Sequence, residues 1–149
     1  MRNQIMAAFP KLTLIAVGKI KKSWIQDGLQ VYQKRLPELT VVEVKDSDPP
    51  TEAAQILAKV KAGDRLIALS EDGETYDSPA FAHWLGTAAS NSLVFAIGGP
   101  DGIDASLRQQ ASQILSLSPL TFPHELARLL LVEQLYRAKT ILQGGRYHK

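Results

Sequence analysis

Short apolar runs alternate with helix-period segments along nearly the whole chain, and no other feature of the sequence restricts the fold as much. KLTLIAVGK, Lys11 to Lys19, is an apolar run closed by glycine, the pattern of a strand buried on both faces. Ser23 and Gln26 form a capping-box pattern; Ile25, Leu29, Tyr32 and Leu36 follow at helical spacing, and Pro37 ends the helix. Leu39 to Val44 reads as a second strand, Thr51 as the cap of a helix carrying Ile56, Leu57 and Val60, and Arg65 to Leu69 as a third strand. Ser78 and Pro79 open a helix running to Ala89, and SLVFAIGG, Ser92 to Gly99, is the fourth strand. A short helix from Asp104, a strand from Ile114 to Ser118 and a long helix from Pro123 to Ile141 complete the series. Strands alternating with helices predict an α/β fold around a parallel sheet.

A length of 149 residues and a hydrophobic fraction of 45% suit one domain with one packed core. No stretch reaches the roughly 18 apolar residues of a membrane span, and no apolar signal core follows the start, so a cytoplasmic protein without membrane attachment is expected. Cysteine is absent, which removes disulfides and thiolate chemistry. His83, His124 and His148 lack metal-ligand spacing, so no metal is expected.

The net charge of +2 conceals an uneven distribution. Between Lys11 and Arg35 six bases face one acid, after Glu133 there are four bases and no acid, and between Glu38 and Asp104 twelve acids face four bases. Two basic ends brought together would suit a polyanion; separate solvated faces are the other reading.

The final helix carries Leu126, Leu129, Leu130, Leu131, Val132, Leu135 and Tyr136 around most of its circumference. A surface helix needs one apolar face, so this one is expected to pack on its own sheet and on a second copy of the chain. Glu133 and Arg137, four apart, are expected to pair within or across that contact.

Three loops at strand ends are candidate sites. IGGPDG, Ile97 to Gly102, would let a ligand approach the backbone at the sheet's carboxyl edge, or is a plain turn. LSLSPLTFPHE, Leu115 to Glu125, is stiffened by Pro119 and Pro123, so its backbone groups are fixed yet free to read a base edge; turning the chain is the alternative role. LSEDGETYDS, Leu69 to Ser78, reads as a solvated acidic turn, with a ribose or cation contact as the competing role. The chain ends in QGGRYHK, two glycines read as a hinge before four side chains suited to RNA.

Taken together, AVGKIKKSW, LSEDGETYDSP, VFAIGGPDGI, LSLSPLTFPHELARLLLVEQLYRA and the terminal RYHK resemble the ribosomal RNA large subunit methyltransferase H family, minimal members of the SPOUT class. The resemblance spans Leu12 to Lys149 and rests on five motifs in order. It implies a single parallel-sheet SPOUT domain over residues 11–149 with a C-terminal deep trefoil knot, and a homodimer. It further implies methylation of N3 of a pseudouridine in 23S ribosomal RNA, in helix 69 of the large subunit on assembled ribosomes, from S-adenosylmethionine. By matching position, Leu69, Gly98 and the segment Leu117, Ser118, Pro119, Leu120, Thr121 and Phe122 would contact the methyl donor. His148, Tyr147 and Arg137 form the expected catalytic set, with the tail completing a partner's site. Lys19, Lys21, Lys22, Arg146 and Lys149 would face RNA, while His124 reads as structural.

Residues 1–10 precede the family's usual start; either Met6 is the true initiator, or the extension is a disordered leader. DSDPPTE replaces a loop that is often longer and more basic in relatives. Two other functions compete: a non-catalytic ribosome-associated module that does not bind the donor, and a SPOUT enzyme acting on transfer RNA, against which stands the lack of an added RNA-binding domain.

Overall fold

The computed structural model of the chain describes residues 9–88 and 92–149. The extension expected over residues 1–10 thus lies, for its first eight positions, outside the described residues, as does the expected helix end at Ala89.

Strands β1 (Lys11–Val17), β2 (Leu39–Val44), β3 (Asp64–Glu74), β4 (Ser92–Ile97) and β5 (Gln113–Leu115) form one sheet in the order β2-β1-β4-β3-β5, and every neighbouring pair is parallel. Each crossover carries a helix: α1 (Ser23–Lys34), α2 (Pro49–Leu57), α3 (Ser78–Thr87) and α4 (Ala105–Gln110), with α5 (His124–Leu142) following β5. The predicted parallel α/β architecture is therefore the observed one, as parallel strands joined by helical connections require.

Side chains alternate along the strands and sort the core into two layers. Leu12, Leu14, Ile67, Leu93 and Phe95 pack with α1, α3 and α5, through Ile25, Leu29, Phe81, Leu85, Leu131 and Leu135. On the other face Ile15, Val17, Leu66, Ala68, Val94 and Ala96 pack with α2 and α4, through Ala53, Ile56 and Leu107. Central strands β1 and β4 are covered on both faces, which explains why they read as unbroken apolar runs.

Helix starts are set by aspartates rather than by the hydroxyls expected. Asp48 Oδ1 accepts from the Thr51 N–H at 2.9 Å, so α2 begins at Pro49 and Thr51 lies within its first turn. Asp77 caps α3 at the Ala80 N–H, one residue before Ser78, and Asp104 caps α4 at the Ser106 N–H. Proline in the first turn of α2 and α3 lacks only an N–H that has no helical partner there. For α1 the capping box does not form: Ser23 is already helical, and a carboxylate from α5 takes the preceding amides, as described below.

Strand β3 extends past its predicted end at Leu69 to Glu74, with an irregularity that lets both Leu69 and Glu74 oppose Leu115. Gly73 makes this possible, since a Cβ there would lie 2.6 Å from the Ile114 carbonyl oxygen. Strand β5 is shorter than predicted and stops at Leu115, ahead of the loop containing Pro119.

Helix α5 packs between α1 and α3, burying Leu131, Val132 and Leu135 completely. Leu126, Leu129, Leu130 and Tyr136 remain half-buried, and on α1 Trp24 and Val31, seven residues apart on one face, are 59% and 46% exposed. The helix ends in a Schellman motif: Gly144 has φ +73°, its N–H donates to Ile141 O at 3.1 Å, and the Gly145 N–H donates to Thr140 O at 2.7 Å. The two glycines read as a hinge are thus a fixed helix stop that sets the direction of the tail. No helix among the described residues is long and apolar enough to cross a membrane.

Candidate active site

At the carboxyl edge of the sheet the ends of β3, β4 and β5 surround a cleft. Leu69, Gly98, Leu117, Ser118, Leu120, Thr121 and Phe122 all line it, whereas Pro119, placed in the same set by the sequence, is exposed and off the wall. Ser70, Glu71, Ile97, Gly99, Gly102, Ile103, His124 and Ala127 complete the lining. Most of these flank the predicted residues in sequence; the stretch 97–103 signalled itself by its glycines.

Gly98 is bare because nothing else fits: a Cβ would lie 2.6 Å from Gly102 O and 2.9 Å from Ile103 Cγ2. Gly102, at φ +83°, closes the turn with an N–H to Gly99 O bond of 3.0 Å. Opposite, the loop after β5 is held by side chains. Ser116 Oγ donates to Glu71 O at 3.1 Å, the Leu120 N–H donates to Ser118 Oγ at 3.0 Å, and the Thr121 hydroxyl donates to Glu71 Oε2. Arg108 reaches from α4 to Ser70 Oγ at 2.8 Å and Asp72 Oδ1 at 3.1 Å. The Ser70 hydroxyl, then Arg108, hold the Asp72 carboxyl below the usual carboxylate range. So the segment read as a solvated acidic turn is pinned to the cleft wall by residues 36 to 50 positions away.

The first turn of α5 organises the basic loop after β1. Glu125, only 8% exposed, accepts the amide N–H of Lys21 at 3.0 Å and of Lys22 at 3.2 Å. Burial alone would raise its pKa; those two amides, with the positive charges of His124 and Lys22, outweigh it and hold the carboxyl below its ordinary value. One turn on, Arg128 is buried, pairs with Glu43 Oε2 at 2.6 Å and donates to Gly18 O at 3.0 Å. Neither contact could be foreseen, because the partners lie 85 to 110 residues apart.

Lys19, Lys21 and Lys22 are exposed on this loop; Lys19 and Lys21 border a groove beside the cleft and Lys22 does not.

The terminal residues form a separate cluster. Arg137 binds Glu133 through Nη2 at 2.6 Å, the pairing the four-residue spacing predicts, and this bond raises the Arg137 pKa further. Its Nη1 lies 3.0 Å from His148 Nδ1, and its guanidinium sits 4.9 Å from the centre of the Tyr147 ring. The Tyr147 hydroxyl donates to Glu133 Oε2 at 2.8 Å and lies 3.2 Å from the Tyr32 hydroxyl, while its ring packs edge-on against Tyr136 at 4.8 Å. Burial, then the contacts with Tyr32 and Glu133, push the Tyr147 pKa up. Arg146 and Lys149 are exposed.

Thus Arg137, Tyr147 and His148 come together, away from their own cleft. Thirteen helical positions separate Arg137 from His124 at the cleft, about 20 Å at the α-helical rise. Among the described residues no group of three or more His, Asp or Glu could hold a metal.

A family model described as "Predicted SPOUT methyltransferase" matches residues 11–148. Among similar proteins is "Ribosomal RNA large subunit methyltransferase H" of Synechococcus sp. (strain RCC307), 55% identical over 93% of this chain and 95% of that protein. Its namesake from Prochlorococcus marinus (strain MIT 9303) is 57% identical over 91% of each chain. The chain belongs to the ribosomal RNA large subunit methyltransferase H family of the SPOUT class. Its fold is also that of the SpoU methyltransferase AviRb from Streptomyces viridochromogenes, solved in complex with the cofactor AdoMet. There the TM-score is 0.52 at 13% identity, over 93% of this chain and 60% of the other. Three of the motifs that carry the family resemblance supply the cleft of this chain, at the ends of β3, β4 and β5.

Proposed function

We propose that this protein is an S-adenosylmethionine-dependent methyltransferase that acts as a homodimer on N3 of a pseudouridine in 23S ribosomal RNA, in helix 69 of the assembled large subunit. The observation that carries the reading is the cleft at the ends of β3, β4 and β5, where the donor segment, Gly98 and Leu69 meet.

The cleft suits the donor chemically. Leu69, Ile97, Ile103, Leu117 and Phe122 offer apolar walls for a purine and for the carbons around the sulfonium, and Ser70, Ser118 and the bared backbone of Gly98 and Gly102 offer polar edges. S-adenosylmethionine, when bound, supplies an activated methyl group on a sulfonium. The chain's own task is to hold the acceptor ring in line with it and to remove the N3 proton as the new bond forms.

His148 takes that proton in our reading, Tyr147 stacks on or hydrogen-bonds the target base, Arg137 orients both, and Arg146 with Lys149 binds phosphates. Since the tail lies about 20 Å from its own cleft, a partner's tail would complete each site. The half-buried leucines of α5 and the exposed Trp24 and Val31 of α1 provide apolar surface for that partner. The sheet order, with β5 beyond β3 and α5 returning to pack against α1, is the path expected if α5 threads a trefoil knot. Action on ribosomes would place the protein in the cytoplasm.

Mixed dimers test the composite site. Gly98→Val closes one cleft and His148→Ala disables one tail; mixing two inactive variants should restore methyl transfer that neither has alone. No recovery in a confirmed heterodimer would refute the shared site.

A further inference from the structure

Beside the cleft lies a second groove, bordered by Lys19, Lys21, Lys45, Asp46, Pro100 and His124. It shares His124 with the cleft, and the turn from Gly98 to Gly102 forms the wall between them, with Gly98, Gly99 and Gly102 on one side and Pro100 on the other. Occupants of the two would be separated by one turn of backbone.

The groove's formal charge is misleading until its ion pairs are resolved. Glu43 and Glu125 also border it, but Glu43 is neutralised by Arg128 at 2.6 Å, and Glu125 is engaged by the amides of Lys21 and Lys22. Among the described residues bordering the groove, Asp46 is the acid left without such a partner, against the ammonium groups of Lys19, Lys21 and Lys45, all exposed. Glu125 and Arg128 therefore tie segment 18–22 to α5, and Arg128 also neutralises Glu43, an acid that would repel an anion there.

We infer that this groove holds the RNA backbone, its Lys19, Lys21 and Lys45 ammonium groups contacting phosphates that flank the nucleotide presented to the cleft. The inference rests on the methyltransferase reading for the position of that nucleotide. It differs from the sequence expectation in two residues: Lys45, just after β2, enters the contact surface, and Lys22, which does not border the groove, leaves it.

Counterion release supplies the test. Each phosphate that a substitution leaves unneutralised should reduce the slope of log K against log salt by about 0.7 to 0.9. Binding of purified ribosomes is measured over a potassium chloride series for wild type, Lys45→Gln, Lys22→Gln and the triple variant Lys19→Gln/Lys21→Gln/Lys45→Gln, with Lys34→Gln as a distant control. Lys45→Gln should lower the slope by about 0.7 to 0.9 and the triple variant by about two to three times as much, while Lys22→Gln and Lys34→Gln leave it unchanged. S-adenosylmethionine affinity should stay constant throughout. An unchanged slope in the triple variant, a larger effect from Lys22→Gln than from Lys45→Gln, or donor affinity falling in step with ribosome affinity would overturn the assignment. Methyl transfer by the wild type is measured on the same ribosomes. A groove effect without methylation therefore refutes the enzymatic reading alone, and methylation without a groove effect refutes this one alone.

Discussion

Arg137 Nη1 donates to His148 Nδ1 across 3.0 Å. A guanidinium has only donors, so the imidazole lone pair is the acceptor, and a neutral ring carries its proton on Nε2. In this conformation the nitrogen a base would use is occupied. Proton removal requires the tail to exchange that bond for the substrate, which a partner's cleft would provide.

Replacing His148 or Tyr147 with alanine should therefore reduce the methylation rate at least about 100-fold, the usual scale for removing an acid–base group. Dimer mass and donor affinity should be unchanged. Single-turnover assays with ribosomes, alongside light scattering and donor titration, measure all three; wild-type rates in both variants would contradict these roles.

Gly144 separates a fixed stop from a hinge. Its φ of +73° suits glycine, is tolerated by asparagine and disfavours alanine by about 1–2 kcal/mol. Gly144→Asn should retain most activity and Gly144→Ala should lose both stability and activity. Equal impairment by Asn and Ala, with unchanged melting temperature, would show that freedom rather than direction matters.

At Gly98 the constraint is steric. A methyl group there meets backbone rather than a movable side chain, at 2.6 Å from Gly102 O. Gly98→Ala should cost about 1–3 kcal/mol of stability and weaken S-adenosylmethionine binding. Calorimetric titration and denaturant melts check it; unaltered donor affinity would remove Gly98 from the site.

The contrast among these residues tells how far the chain could be read without coordinates. Strand and helix alternation was legible because apolar periodicity is local, and the cleft loops were legible because glycine and proline mark strand ends. The helix starts at Ser23 and Ser78 were legible, but Thr51 is not the cap of α2 and Ser23 forms no capping box with Gln26. Asp48 and Asp77 stand just before the first helical turn and offered a local signal, but the amides that precede α1 are held by Glu125, over 100 residues away. Strand order and the Arg128 to Glu43 pair are equally nonlocal. Gly144 and Gly145 show the remaining limit: glycine permits both a hinge and a Schellman stop, and only the hydrogen bonds to Ile141 and Thr140 distinguish them.

Glu125 predicts a pH dependence. Its folded pKa is depressed, so its stabilising contribution is fully present above the unfolded carboxylate value of about 4.3 and is lost as pH falls through the lower folded value. Glu125→Gln should be less stable than wild type at neutral pH, by about 1–2 kcal/mol. The gap should persist above the unfolded carboxylate value of about 4.3 and narrow as pH falls below it. Denaturant melts across that range measure it, and a gap independent of pH would mean that the carboxylate's charge is not what holds Lys21 and Lys22.

The central claim is methyl transfer to N3 of a pseudouridine. Its most direct measurement is incubation of the protein and methyl-labelled S-adenosylmethionine with ribosomes that contain or lack the helix 69 pseudouridines, followed by mapping of the label. The account predicts label at one helix 69 position, on N3, only in ribosomes that contain pseudouridine. Label on neither ribosome, or equally on both, would contradict it.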